Sequence, residues 1–320
     1  MLQVDLLHPL SITSLEWYNC KELPLGMKEA QAVWFKGKVY VGGETATKKP
    51  WDSATLYVYT SGASVWNCVD TPVHDFALTA YCSKIVLVGG RKYMQCAQEE
   101  NGIITNILWT SDSEPNELSS WQENGLPPMK IKRCGASAVS SEDCPNILVV
   151  AGGNVSSSDV EVFDGSQWWM VNQPTGFHGT KSLTLFDGYL YLMSGISTWY
   201  ASLDYLETRH HNDKIRLEWR KLTDIPQHLP RSWSLAVFGK RLIVTNGATI
   251  YAYSSITRCW VHIGDAADDL HIDIFSTCAI GLPNGDLMIL GGESEMGSKT
   301  VVQVTCNVNG MYKTIFSLPR

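Results

Sequence analysis

Glu44 and Glu293 each follow a glycine pair at the end of an apolar run. Carboxylates gathered at one site can divide general acid and general base roles. The bland alternative for both is solvated loop acids. Arg91, Arg133 and Arg231 stand at similar junctions, where guanidinium forks suit the carboxylates of an acidic peptide. His210, His211 and Asp213 offer metal ligands, but adjacent histidines do not converge on one ion by themselves, so the group reads as a polar loop and no metal is expected. No GxSxG elbow provides a serine nucleophile. The other histidines are dispersed, although His74 and His178 precede segments rich in small residues.

These residues are positioned by a repeated element. "KVYVGG", "KIVLVGG", "NILVVAGG", "YLYLMSG", "RLIVTNG" and "DLMILGG" end at glycines 43, 90, 153, 195, 247 and 292, spaced 47, 63, 42, 52 and 45 residues apart. A single nucleotide-binding turn would not recur six times, whereas repeats of this length mark solenoids and propellers. Trp17, Trp66, Trp121, Trp168, Trp219 and Trp260 precede these glycines by 24 to 32 residues. An aromatic residue and a turn precede several of them, as in "YTSGASVW", "FDGSQW" and "YSSITRCW". Between each Trp and its glycine strand lies a segment rich in small residues, such as "ALTAYC" or "CGASAVS". The unit is therefore four short strands separated by turn residues, the pattern of an all-β ring of blades.

With its glycine pair, following aromatic and Trp, the unit resembles the kelch repeat. The resemblance runs from about Ser14 to Pro319 and implies one domain, a six-bladed β-propeller of four-stranded blades, preceded by a short extension over residues 1–13. The small-residue strand should lie nearest the axis, where blades crowd. The glycines Gly42, Gly43, Gly89, Gly90, Gly152, Gly153, Gly195, Gly247, Gly291 and Gly292 should serve positive φ or close approach. The Trp should seal one blade against the next. A ring leaves no long unpaired edge only if its ends join. The strand around Trp17 is expected to complete the last blade, with Tyr312 in "GMYKTIFSLP" marking a rival strand. "MSG" and "TNG" in blades 4 and 5 depart from the glycine pair and predict altered turns there.

Bulk properties narrow the partners. The net charge is −7 and basic residues are scattered, which disfavours nucleic acid and anionic membrane surfaces. No apolar run spans a bilayer and the first residues carry no basic, apolar leader. Nine cysteines without a CxxC pair read as mostly buried small hydrophobes in a reducing compartment, hence a cytoplasmic protein.

Two functions fit. Loops on a rigid ring suit recognition because little ordering entropy is lost. Kelch-type substrate adaptors of ubiquitin ligases place partner contacts just after the glycine pair and at the start of the inner strand. That resemblance implies a partner face of Glu44, Arg91, Asn154, Glu293, Arg133, His178, Arg231 and Lys28, with His74 beside it. Tyr93, Trp199 and Trp233 are candidate aromatic anchors. The expectation is a monomeric, cofactor-free, non-catalytic module binding an acidic protein or peptide, as a ligase adaptor or scaffold. About thirteen residues precede the Trp17 strand, too few for a BTB or F-box domain. The alternative is a carbohydrate-active or other small-molecule enzyme of the mutarotase-like kelch type, with Glu44 and Glu293 at the channel mouth. Two insertions, residues 91–103 and 205–215, are further candidates for recognition loops.

Overall fold

The computed structural model describes residues 12–45, 55–60, 65–92, 103–111, 120–141, 144–153, 160–177, 182–203, 214–226, 233–266, 277–292 and 299–308. They form six antiparallel four-stranded blades. Blade 1 runs Met27–Phe35, Lys38–Thr45, Thr55–Thr60, Trp66–Asp70 from the axis outward. Blade 2 is Ala77–Tyr81, Lys84–Val88, Leu108–Ser111, Gln122–Glu123, and blade 3 is Ala136–Ser141, Cys144–Gly152, Val160–Phe163, Trp168–Val171. Blade 4 is Ser182–Phe186, Tyr189–Ser194, Ser197–Ser202, Arg220–Lys221, and blade 5 is Ser234–Phe238, Arg241–Thr245, Thr249–Ser254, Cys259–Asp265. Blade 6 takes Cys278–Gly281, Leu287–Leu290 and Val301–Val308 from the end of the chain and Ile12–Asn19 from its beginning. Trp17 faces Val304 in that closing pair. Tyr312 lies outside the described residues.

The innermost strands touch in ring order, each meeting the one before and the one after, with Met27–Phe35 against both Ala77–Tyr81 and Cys278–Gly281. Small residues are required there. A Cβ on Gly281 would lie 1.9 Å from the carbonyl oxygen of Val237 on the neighbouring inner strand. The second strands read as unbroken apolar runs because both faces of every blade are covered; Leu148, Val149, Val150 and Ala151 are all fully buried.

The core consists of six apolar clusters, one in each seam between adjacent blades. The repeated Trp is the outer seal of these seams. Trp66 donates its indole N–H to the carbonyl of Lys21 at 2.9 Å, Trp121 to Asp70 at 3.0 Å and Trp168 to Pro127 at 2.7 Å. Trp219 donates to Asn172 at 2.6 Å and Trp260 to Thr223 at 2.9 Å. Each acceptor is a backbone carbonyl at or just beyond the outer strand of the preceding blade. The expected aromatic partners pack on these rings, Tyr59 on Trp66 at 4.9 Å, and Phe163 on Trp168 and Tyr253 on Trp260 at 5.3 Å.

The glycine positions serve two distinct purposes. In blades 2, 3 and 6 both glycines have positive φ, as at Gly89 (66°) and Gly90 (94°). In blade 1 neither does; Gly42 is needed because a Cβ would approach the Phe76 ring to 2.6 Å. Blades 4 and 5 contract to tight hairpins. Gly195 turns at φ 61° between the paired Ser194 and Ser197, and Gly247 follows Asn246, whose Oδ1 accepts the amides of Ala248 and Thr249.

The cysteines depart from the expected burial. Among those described, Cys134 is buried, Cys20, Cys259 and Cys278 are half-buried, and Cys68 and Cys82 are exposed; all six are free thiols. Cys82 sits in a left-handed turn at φ 47° rather than in a strand, because the two-residue hairpin it shares with Ser83 requires that conformation. Burial pushes the Cys278 thiol up to about 12.

Candidate functional site at the glycine end of the channel

Inner strands begin, and second strands end, at one face of the ring, so the glycine pairs and the connections into each blade share that face. In the three blades whose inner entrances are described, the backbone turns left-handed there: Glu29 has φ 47°, Asp75 48° and Gly135 62°. Such φ is uncommon for residues with a Cβ and needs surrounding structure to hold it. The Gly135 amide donates to the Asp75 carbonyl at 2.7 Å. A Cβ on Gly135 would lie 4.0 Å from the exposed Glu29 carboxylate, so the entrances of blades 1 and 3 meet at the rim.

Just inside the rim, Gln31 ties neighbouring blades together. Its amide Nε2 donates to the carbonyl of Ala136 at 2.6 Å while its Oε1 accepts the amide of Leu78 at 3.1 Å. One side chain from blade 1 therefore binds the inner strands of blades 2 and 3.

Arg91 follows the blade 2 glycines as expected. Its Nε lies 3.0 Å from the Asp75 carboxylate, with both side chains partly exposed. Its backbone pairs with His74 through hydrogen bonds of 2.9 and 2.8 Å. Burial lowers the His74 pKa and so favours the neutral imidazole, although the Asp75 charge acts the other way.

Arg133 does not reach the surface where a partner was expected. Its side chain is wholly buried, 3.0 Å from Glu161, which is buried equally. Its Nη1 donates to the Gly152 carbonyl at 2.7 Å. Glu161 also accepts the Lys130 amide at 2.7 Å. Burial raises the carboxyl pKa, while Arg133 and the Lys130 and Ile131 amides draw it back without cancelling the rise. The Arg133 backbone is used too: its carbonyl accepts the Gly90 amide at 2.7 Å and its amide donates to Thr105 at 3.0 Å. A Cβ on Gly89 would strike that carbonyl at 2.5 Å. Arg133 braces the junction of blades 2 and 3, so it does not join Arg91 and Arg231 as a guanidinium open to an acidic peptide.

Trp199 and Trp233 also belong to the interior, at 7% and 3% exposure, since they fill the seams of blade 4 with blade 3 and with blade 5. The insertion of residues 91–103 begins as a ladder in which Arg91 and Lys92 pair with Ile104 and Ile103. The insertion of residues 205–215 returns to the sheet as a fifth strand of blade 3. There Lys214 and Ile215 pair in parallel with Met170 and Val171. The Asn172 side chain continues that ladder, exchanging hydrogen bonds of 3.0 and 2.6 Å with the backbone of Leu217. Sequence patterning could not show this edge cover because two residues make the strand.

Tyr93, Asn154, His178, Arg231, Glu293, His210, His211 and Asp213 lie outside the described residues, as do the side chains of Lys28 and Glu44. The backbones of Lys28 and Glu44 are directly paired in blade 1. Among the described residues no three His, Cys, Asp or Glu side chains gather as metal ligands. No described helix is long and apolar enough to cross a membrane.

Fold and rim together define the class: this is a six-bladed β-propeller closed by its first strand. No protein-family model matches the chain, and no curated protein matches it. Among solved structures, that of YjhT is similar in fold over 90% of this chain and 99% of its own, with a TM-score of 0.65 and 13% identity.

Proposed function

We propose that this propeller is a non-catalytic interaction module of the kelch-repeat type, taking a protein or peptide partner on its glycine face as a cytosolic scaffold or ubiquitin-ligase adaptor. The observation that carries the reading is the Gln31 bridge, which spans the inner strands of blades 2 and 3 just inside the rim. A side chain that ties three inner strands together just inside the rim favours a rigid contact surface. Arg91, already held by Asp75, supplies an ordered polar rim, as recognition surfaces commonly do. Glu29, Glu44, Arg231 and Glu293 complete the proposed face. The small-molecule enzyme remains the competing reading, with Glu44 and Glu293 as the carboxylates of its mouth.

Affinity capture from cell lysate tests the choice, comparing the wild type with an Arg91→Ala, Arg231→Ala variant and with Lys36→Ala at the opposite end. A protein held by the wild type and by Lys36→Ala but lost from the rim variant supports recognition on this face. Equal capture by all three removes the face from the proposal. A monosaccharide that raises the melting temperature of the wild type, with the rise abolished by Glu44→Gln, favours the enzyme instead.

A further inference from the structure

The end opposite the glycine pairs carries a second surface, at the seam between blades 4 and 5. In blade 4, Tyr191 lies directly across from Tyr200, and Tyr200 directly across from Arg220 on the outer strand. Directly opposed residues of antiparallel strands project from the same face. The Tyr191 and Tyr200 rings are stacked with centroids 5.8 Å apart, and Tyr189 meets Tyr200 edge-on at 5.7 Å. Tyr191, Tyr200 and Tyr253 of blade 5 pack over the same apolar cluster, so the three rings share this seam. Tyr189 stands at the exposed lip beside the Asp187 turn.

Blade 5 contributes its last turn, where Ile256 is 69% exposed and Arg258 is exposed at φ 55°. The Thr223 hydroxyl donates to the Arg258 carbonyl at 3.2 Å, fixing that turn onto blade 4. Arg220 and Arg258 make no ion pair among the described residues. The two exposed guanidinium groups stand beside these tyrosines, with Asp187 at the lip, on a chain of net charge −7.

We propose that this seam binds an extended peptide segment in which carboxylates alternate with apolar side chains. The arginine forks take the carboxylates, the tyrosine hydroxyls donate beside them, and Tyr189 with Ile256 covers the apolar side chains. Tyr and Arg are the side chains that most often dominate binding energy at protein interfaces. A bare phosphate would use the arginines and leave Ile256 and the ring edges unmatched, which is why a peptide is the better fit. Tyrosine hydroxyls are protonated donors at neutral pH, and burial moves those of Tyr191 and Tyr253 further from ionisation.

The test is fluorescence anisotropy with a labelled ten-residue peptide of alternating Glu and Leu, the same peptide with Gln for Glu, and a ten-residue poly-Glu peptide. The expected result is affinity for the Glu-Leu peptide roughly tenfold above either control, weakening as salt rises. An Arg220→Gln, Arg258→Gln variant and a Tyr189→Ala variant should each lose about that factor, while Arg216→Gln, an exposed arginine elsewhere, loses none. These are surface positions, and an unchanged melting temperature confirms that the variants fold. Equal binding of the Gln peptide, binding that follows charge alone, indifference to the variants, or no binding at millimolar peptide each overturns the proposal. The variants lie at the end opposite the rim, so this outcome is independent of the test of the glycine face.

Discussion

Arg133 and Glu161 form an ion pair at 3.0 Å with both side chains excluded from solvent. Such a pair adds little over a packed apolar pair, yet breaking it leaves one charge stranded. Glu161→Gln is therefore expected to destabilise the propeller by about 3–5 kcal/mol. Joint replacement by Arg133→Met and Glu161→Leu should cost far less. Urea denaturation of both variants checks this; a loss smaller for the single change than for the double change would show that the pair is not a brace.

The bond from Trp66 to the Lys21 carbonyl joins blade 1 to the chain leaving the closing strand. Trp66→Phe keeps an aromatic seal and removes the donor, with an expected loss of roughly 1–2 kcal/mol. Amides of residues 14–19 should then exchange faster with deuterium. Trp260→Phe, which removes the equivalent bond to Thr223 far from the closure, should lower stability similarly without that local effect. Faster exchange at 14–19 in both variants would count against a specific role in closing the ring.

Asp164 gathers four donors: the amides of Ser166 and Gln167, the Ser166 hydroxyl and the Trp169 indole, at 2.6 to 2.9 Å. Burial pushes its carboxyl up, but these hydrogen bonds outweigh burial and hold it well below the usual carboxylate range. A carboxyl whose pKa is depressed by folding stabilises the native state above its unfolded pKa. That stabilisation is lost progressively as pH falls below about 4, toward the folded value. Carbon NMR of the Asp164 carboxyl should show no titration in the folded protein near pH 4, and Asp164→Asn should flatten the acid limb of stability against pH. Ordinary titration of Asp164 near pH 4 would refute this account.

Much of the architecture was legible in the sequence because it rests on patterns that one blade contains. Six glycine-ended apolar runs, six leading Trp residues and the small-residue strands between them reflect rules that each blade must satisfy: burial on both faces, crowding at the axis and a seal at the rim. Trp17 could be assigned to the last blade for the same reason, since its spacing to the first inner strand matches the other linkers. The blade 4 and 5 turns were legible as departures, and Asn246 and Gly195 show the contracted hairpins that result.

The site was less legible, because the direction a loop side chain takes depends on what other blades bring to it. Arg91, after a glycine pair, and Arg133, before an inner strand, were both expected at the partner face by pattern. One lies partly exposed beside Asp75 and the other is buried, because Glu161 on the third strand of blade 3 supplies a counter-charge in the interior. Gln31, invisible as a motif, bridges three blades only when the inner strands of blades 2 and 3 stand beside it. The tyrosines near residues 190, 200 and 253 are ordinary strand residues until the seam between blades 4 and 5 assembles them beside Arg220 and Arg258. The sequence by itself determined the blades, their number and the closing strand, through local periodicity and turn chemistry. Only the tertiary structure decided which polar side chains reach the surface, because burial and pairing are set by neighbours scores of residues away.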